Sequence, residues 1–309
     1  MEITKTFHTQ VQGNSKCTIV GDTTKFISGT NPTNYERLIT AVIEYPKIVD
    51  SEVLTHRMFA RNSESKRAIS YKRIRDQIGT DYFFTPIYGK EKKGMQDGGF
   101  LDSNVDDAVR ELYSEYLKQT IKFTDALDEL DVHHQMINRY LEPFITTCRI
   151  MTGTEFWWDY FISLRMHPDA EPHIQELGQC VKEALLSSES FSGDIHIPFH
   201  QDKLLNYKLM NWEDISPIIE DSVARCARIS YHNYEKNVNI TGNKIFIEKL
   251  WDNKHSTPFE HVAFSNIYMQ PFGVKENNHS VYGDSWLDLR KVYGKCVLNN
   301  DNFMRSIFG

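Results

Sequence analysis

Residues 37–49, RLITAVIEYPKIV, run apolar and β-branched with few interruptions, which predicts a buried strand with Pro46 marking its end or an edge. Further on the period changes. Val105, Val109, Leu112, Tyr116, Phe123, Leu127 and Leu130 recur at steps of three, four and seven, which predicts a long amphipathic helix capped by Asp102, Ser103 or Asn104. A second helix is predicted over VHHQMINRYLE (132–142), running into Pro143. TEFWWDYFISLRMHPDA (154–170) is apolar and helical in character until Pro168 interrupts it, and Asp169 then reads as the cap of a helix carrying Ile174, Leu177, Val181 and Leu185. VAFSNIYMQ (262–270) alternates as a strand does, and PIYGKEKKGMQDGGF (86–100) reads as a Gly- and Lys-rich loop. Strands and helices follow no regular βαβ rhythm, and no G-x-G-x-x-G turn is present. The expected class is α+β, a mixed or antiparallel sheet packed with long helices, in one domain over residues 1–309.

Composition places this pattern among ordinary globular chains. Of 309 residues, 40% are hydrophobic and 25% charged, enough to bury a sizeable core. No apolar run approaches the roughly 20 residues that span a bilayer, and MEITKTFHTQVQGNSK has no apolar stretch of the signal-peptide kind. Five scattered cysteines (17, 148, 180, 226 and 296), none in a C-x-x-C pair, fit reduced thiols in a cytoplasm-like compartment. No membrane association is expected.

Charge changes the picture more. The net charge of −7 argues against a nucleic-acid polymer as partner, because phosphate contacts demand a broad basic surface. Yet the span 56–75 holds five arginines and two lysines against Glu64 alone. Such an island suits a small anionic ligand. It equally describes a solvated basic helix face with Arg57 and Arg61 four residues apart and Glu64 pairing locally. Two further arginines stand out: Arg139 in an apolar and amide-bearing stretch, and Arg165 after Trp157, Trp158, Phe161 and Leu164. A guanidinium on such a stem needs an anion, a carboxylate such as Glu142 or Asp169, or a path to solvent.

Other chemistries find less support. Cys148 and Cys226 each have an arginine nearby but no adjacent histidine. The groupings His133-His134, His196-x3-His200 and His255-x5-His261 lack a completing carboxylate or thiol cluster, so no metal is expected. There is no G-x-S-x-G elbow for a serine hydrolase.

Taken together, the motifs are more specific than any one of them. THRMFARNSESKRAI (55–69) resembles the signature of the flavin-dependent thymidylate synthases, R-H-R-x-x-S-x-N-x-x-S-x-R, in the form found in viral members. The resemblance continues through KKGMQ (92–96), INRYLEPF (137–144), SLRMHPDAEPHI (163–174), HIPF (196–199), RCARISY (225–231) and HSTPFEHVA (255–263). The last two stand near the C-terminus, whereas many members place them ahead of the arginine signature. This order resembles a circular permutation, which would make VAFSNIYMQ a sheet partner of the strand at 37–46.

The resemblance implies an enzyme that makes dTMP from dUMP and methylenetetrahydrofolate with FAD, NADPH supplying the hydride. It also implies a homotetramer with active sites between subunits. By position, Thr55, His56, Arg57, Asn62 and Thr257 would bind FAD. Ser65, Lys66 and Arg67 would cradle the dUMP phosphate through hydroxyl, backbone N–H and guanidinium. Glu52 and Arg139 would hold the nucleotide. Arg165 would lie against the uracil and stabilise charge there, and His255 would sit near folate and flavin. Ala60, Ser63, Glu52 and Tyr160 stand where many members have serine, glutamate, glutamine and asparagine. Two alternatives share this scaffold: a dUMP hydroxymethylase, and a flavin- or nucleotide-binding homologue without turnover.

Overall fold

The computed structural model describes residues 8–26, 35–78, 84–200, 212–234, 240–265, 282 and 286–292. The chain forms β1 (His8–Gln12), β2 (Ser15–Phe26), β3 (Tyr35–Pro46), α1 (Asp50–Leu54), β4 (Ala60–Ser63) and α2 (Tyr71–Gln77). Next come α3 (Ser103–Glu129), α4 (His134–Tyr140), β5 (Thr146–Thr154), α5 (Glu155–Arg165) and α6 (Pro172–Ser187). β6 (Phe191–Ser192), β7 (Ile195–His196), α7 (Trp212–Arg228), α8 (Ile240–Asp252), β8 (Ala263–Ser265) and β9 (Trp286–Asp288) complete the order.

The β-branched run is the centre of the larger sheet. Its order is β1-β2-β3-β5-β4, antiparallel throughout, with β6 paired parallel to β2. Side chains of β3 alternate between two cores, as strand geometry requires. Ile39, Ala41 and Ile43 pack with Trp158 and Phe161 of α5 and with Ile174, Leu177 and Val181 of α6. Val42 faces the other way, into a core with Ile150, Phe199, Cys226 and Ile229. Pro46 is the last residue of the ladder, opposite Thr146, and the chain turns there into a 3-10 turn at Lys47–Val49. The class is therefore α+β with an antiparallel sheet, as the sequence predicts. No helix among the described residues is long and apolar enough to cross a membrane.

Three expectations are corrected. VAFSNIYMQ is not a partner of β3, because both edges of β3 are occupied by β2 and β5. Its first part forms β8, between β7 and β9 in a separate three-stranded sheet, and residues 266–270 lie outside the described residues. The cap of α6 is Glu171 rather than Asp169. The Glu171 carboxylate accepts from the backbone N–H groups of His173 (2.9 Å) and Ile174 (3.1 Å), and Pro172 presets the first helical turn. The basic segment is no helix face either: it is a turn, the edge strand β4, a second turn and then α2.

The long helix α3 forms where predicted, but its apolar stripe is largely uncovered. Leu112 is 71% exposed and Leu130 76%, with Tyr116 and Phe123 also exposed, while Thr120 and Thr124 are buried. The reason is reach. The neighbouring α4 and α2 are seven residues each against 27 in α3, too short to cover its length.

A polar relay crosses the sheet between the two cores. Thr23 shares a hydrogen bond with His196 Nδ1 (2.9 Å), His196 Nε2 with Thr40 (2.7 Å), Thr40 with Thr152 (2.7 Å), and Thr152 with His261 Nδ1 (2.8 Å). Gly21 makes room for it: a Cβ there would stand 3.0 Å from His196 Cε1. Burial holds both imidazoles neutral, at about 3. Below pH 6.5 the unfolded chain protonates these histidines and the folded chain refuses the proton, so stability falls with pH down to about 3. The slope is at most about 1.4 kcal/mol per pH unit for each histidine. We expect the urea midpoint to drop between pH 6.5 and 5, and to drop less steeply in His261→Gln. The raised carboxyls of Glu220, Glu260 and Asp288, pushed up by burial, oppose this trend, so the comparison with the variant isolates the histidine part. Equal slopes in the two proteins would remove His261 from the account.

Candidate active site

The turn after β3 delivers the first group of site residues. Asp50, at the start of α1, accepts from Tyr45 Oη (2.7 Å), Lys47 Nζ (2.6 Å) and Arg149 Nη2 (2.6 Å), which pins α1 to the sheet. Glu52, Thr55 and His56 then meet the end of α5. Arg165 Nε donates to His56 Nε2 (2.8 Å), and its Nη2 donates to the Glu52 carbonyl (2.8 Å) and to Thr55 Oγ1 (2.7 Å). Neither Glu142 nor Asp169 pairs with it. Asp169 faces His167 instead, at 3.6 Å, and no carboxylate among the described residues forms an ion pair with Arg165. Its guanidinium is half-buried, charged at neutral pH, and fixed by neutral partners alone. Nη1 makes no hydrogen bond among the described residues.

His56 is set to receive that bond. Burial first, then the charges of Arg165 and Arg61, push its pKa down to about 4, so it is neutral and accepts on Nε2. Its ring lies 4.7 Å from Phe161, centroid to centroid. Beside it opens a cavity of about 360 Å³ walled by Phe59, Trp157, Tyr160 and Leu164. Thr55, His56 and Arg57 form its polar side. Phe59 reaches its place because residue 153 on β5 is glycine: a Cβ there would stand 2.6 Å from the ring. An aromatic slot with one polar side suits a planar heterocycle.

A second group lies past the other end of β4. Ser65 N donates to the Ser230 carbonyl (3.0 Å), and Ala68 N closes a turn onto the Ser65 carbonyl (2.9 Å). The side of the turn facing α4 is tied down by that helix. Asn138 Nδ2 donates to the carbonyls of Lys66 (2.7 Å) and Ile69 (2.9 Å), and His134 Nε2 meets the Arg67 carbonyl at 2.9 Å. With those carbonyls committed to α4, Ser65 is half-buried and Arg67 exposed, with Arg139 exposed on the adjoining helix. Lys66 points inward, only 8% exposed, with its ammonium 2.8 Å from Glu64 Oε1.

The remaining expected residues do not join these groups. Asn62 Nδ2 donates to the Cys226 carbonyl (2.7 Å) and anchors α7 to β4. His255 and Thr257 are exposed, at and just before the 3-10 turn Thr257–His261, which packs against β4, and neither lines the cavity. Of the basic island, Arg61 is spent on the Leu54 carbonyl and Arg73 on the carbonyls of Tyr231 and His232. Arg57 and Arg67 are exposed and make no side-chain hydrogen bond among the described residues. Sequence reasoning missed Asn138 and His134. An asparagine in mid-helix, poor for the helix itself, was the available signal for the first.

No family model and no curated protein matches this chain. Among solved structures it is similar to a UMP/dUMP methylase, PolB from Streptomyces cacaoi. With 5-Br UMP bound, that structure aligns at 12% identity over 58% of this chain and 91% of the other, with a TM-score of 0.47. The same methylase bound with 5-Br dUMP aligns at 17% identity over 48% of this chain and 65% of the other, with a TM-score of 0.39.

Proposed function

We propose that this chain transfers a one-carbon unit from methylenetetrahydrofolate to C5 of dUMP, with FAD as cofactor and NADPH as reductant, to make dTMP. The observation that carries this reading is Arg165. It ends a helix inside the SLRMHP motif and is bonded to His56 and Thr55, which line the aromatic slot, with no ion pair to a described carboxylate and no hydrogen bond on Nη1 among the described residues. A partly buried cation in that state is completed by something anionic. A uracil ring whose C5 acts as nucleophile carries developing negative charge, and a fixed guanidinium stabilises it without reorganising.

The cysteines support the same reading. A thymidylate synthase that attacks uracil with a thiol needs a thiolate within reach. Cys17, Cys148, Cys180 and Cys226 are all buried, and burial pushes each thiol up, Cys180 to about 11, while Cys296 lies outside the described residues. Bound flavin would instead supply the redox and one-carbon chemistry. The slot fits its planar ring: Trp157 and Tyr160 offer aromatic faces, and Thr55 and His56 offer polar contacts. A whole dinucleotide exceeds about 360 Å³, so Arg57 on the rim is left to meet its phosphates. Ser65, Arg67 and the backbone of Lys66 would take the dUMP phosphate with Arg139, and His255 and Thr257 would meet folate and flavin from a neighbouring subunit.

Incubating the protein with dUMP, methylenetetrahydrofolate, FAD and NADPH, then weighing the product by mass spectrometry, tests the reading. dTMP is the expected result. 5-Hydroxymethyl-dUMP would shift the assignment to a hydroxymethylase, and nucleotide binding without any product to a homologue that has lost turnover.

The uncovered stripe of α3 gives the expected homotetramer a place to form. A second copy laid along Leu112, Tyr116, Phe123 and Leu130 would remove those residues from water. Light scattering should report a multimer, and Leu112→Glu with Leu130→Glu a smaller species. A wild-type monomer at micromolar concentration would refute this.

A further inference from the structure

Beneath the Ser65–Ala68 turn lies a buried charge pair that the proposed chemistry does not use. β4 leaves the sheet edge after Ser63, and Glu64 continues the edge pairing by other means. Its backbone N–H donates to the Cys148 carbonyl (2.8 Å), and its Oε2 accepts from Cys148 N (3.2 Å). Its other oxygen, Oε1, lies 2.8 Å from Lys66 Nζ and 3.8 Å from His232 Nδ1. Burial alone would raise this carboxyl, but His232 and Lys66 outweigh it and hold it at about 2. Both members are buried, Glu64 at 6% and Lys66 at 8% exposure.

A lysine that only filled space could be replaced by an apolar residue of its size at no loss, because desolvating two charges consumes most of their attraction. What an ion pair adds is registry. In this short stretch residues 64, 66 and 69 face inward, and 67 and 68 face out. The pair supplies two of the inward anchors, two residues apart, so the residue after the second is driven to the surface.

We propose that Glu64 and Lys66 are positioning residues that set the direction of Ser65 and Arg67 in the nucleotide-phosphate subsite. This rests on reading that turn as the phosphate cradle. Because Glu64 neutralises Lys66 locally, attraction for the phosphate falls to Arg67 and Arg139. Without the carboxylate, the buried ammonium loses its ion-pair partner, is drawn toward water, and takes the turn with it.

The test is dUMP binding by calorimetry alongside flavin binding by absorbance, on the folded full-length chain. Glu64→Gln should weaken dUMP roughly tenfold or more while flavin affinity stays within about twofold. Adding Lys66→Met removes the stranded charge and should recover the melting temperature, but without the pair to set the register dUMP binding should stay weakened several-fold. Should Glu64→Gln fail to fold, Glu64→Asp keeps the charge on a shorter arm and should still weaken dUMP several-fold. A lowered melting temperature with an unchanged dUMP constant, or full recovery of dUMP binding in the double variant, overturns the proposal. Wild-type protein that binds no dUMP removes the functional reading and this inference with it. Wild-type binding that Glu64→Gln leaves untouched removes this inference alone.

Discussion

Arg165→Ala is expected to cut turnover by about 10²–10³-fold, the loss seen when one fixed stabiliser of developing charge is removed. Flavin should remain bound, because the walls of the slot come from Phe59, Trp157, Tyr160 and Leu164. The guanidinium is held at three points and forms no ion pair with a carboxylate among the described residues, which leaves its charge to act on a ligand. Arg165→Lys should fare little better, since a point charge cannot donate at once to His56, Thr55 and the Glu52 carbonyl. A second readout separates this from simple misfolding. Burial and then the Arg165 charge depress the His56 pKa to about 4, so removing that charge should raise it. Steady-state kinetics with dUMP measures the first effect and an NMR titration of His56 the second. Full turnover in Arg165→Ala would take Arg165 out of the mechanism.

Arg67→Ala should weaken dUMP binding by about 10–100-fold, the range for one charge-assisted contact to phosphate. Stability should stay within about 0.5 kcal/mol, because the side chain is exposed and the turn is held through backbone atoms by Asn138 and His134. An exposed cation is also screened by salt. Wild-type affinity should therefore fall as salt rises, and the variant should show a shallower dependence. Calorimetry at two ionic strengths measures both. An unchanged dissociation constant would break the assignment of the turn to the phosphate.

The candidate site was legible in residue types and opaque in contacts. THRMFARNSESKRAI pointed to two ligand-binding groups, and the structure sets Thr55 and His56 before β4 and Ser65 and Arg67 after it. From the sequence Lys66 was one cation of the island and, by resemblance, part of the phosphate cradle with Ser65 and Arg67. Its inward turn depends on Glu64 and Cys148, and Cys148 lies 82 positions along the chain. Arg165 and His56 meet across 109 positions because β5 runs antiparallel to β3 and ends beside its start, and α5 then returns over β3 to bring Arg165 to the segment that follows β3. Composition carries no record of that pairing.

Local structure follows from short-range physics, and there the sequence by itself was decisive. The β-branched run determined β3, Pro46 its end, and the spacing of Ile174, Leu177, Val181 and Leu185 the buried face of α6. Each depends on side chains within a few residues of one another. Only the tertiary structure decided which faces found partners. The stripe of α3 has the period of a core helix yet lies mostly open, because its neighbours are too short to cover it. The strand at Ala263–Ser265 joined a separate sheet because β3 had no free edge. Burial and pairing depend on what else competes for the same surface, and that competition is settled only when the whole chain has packed.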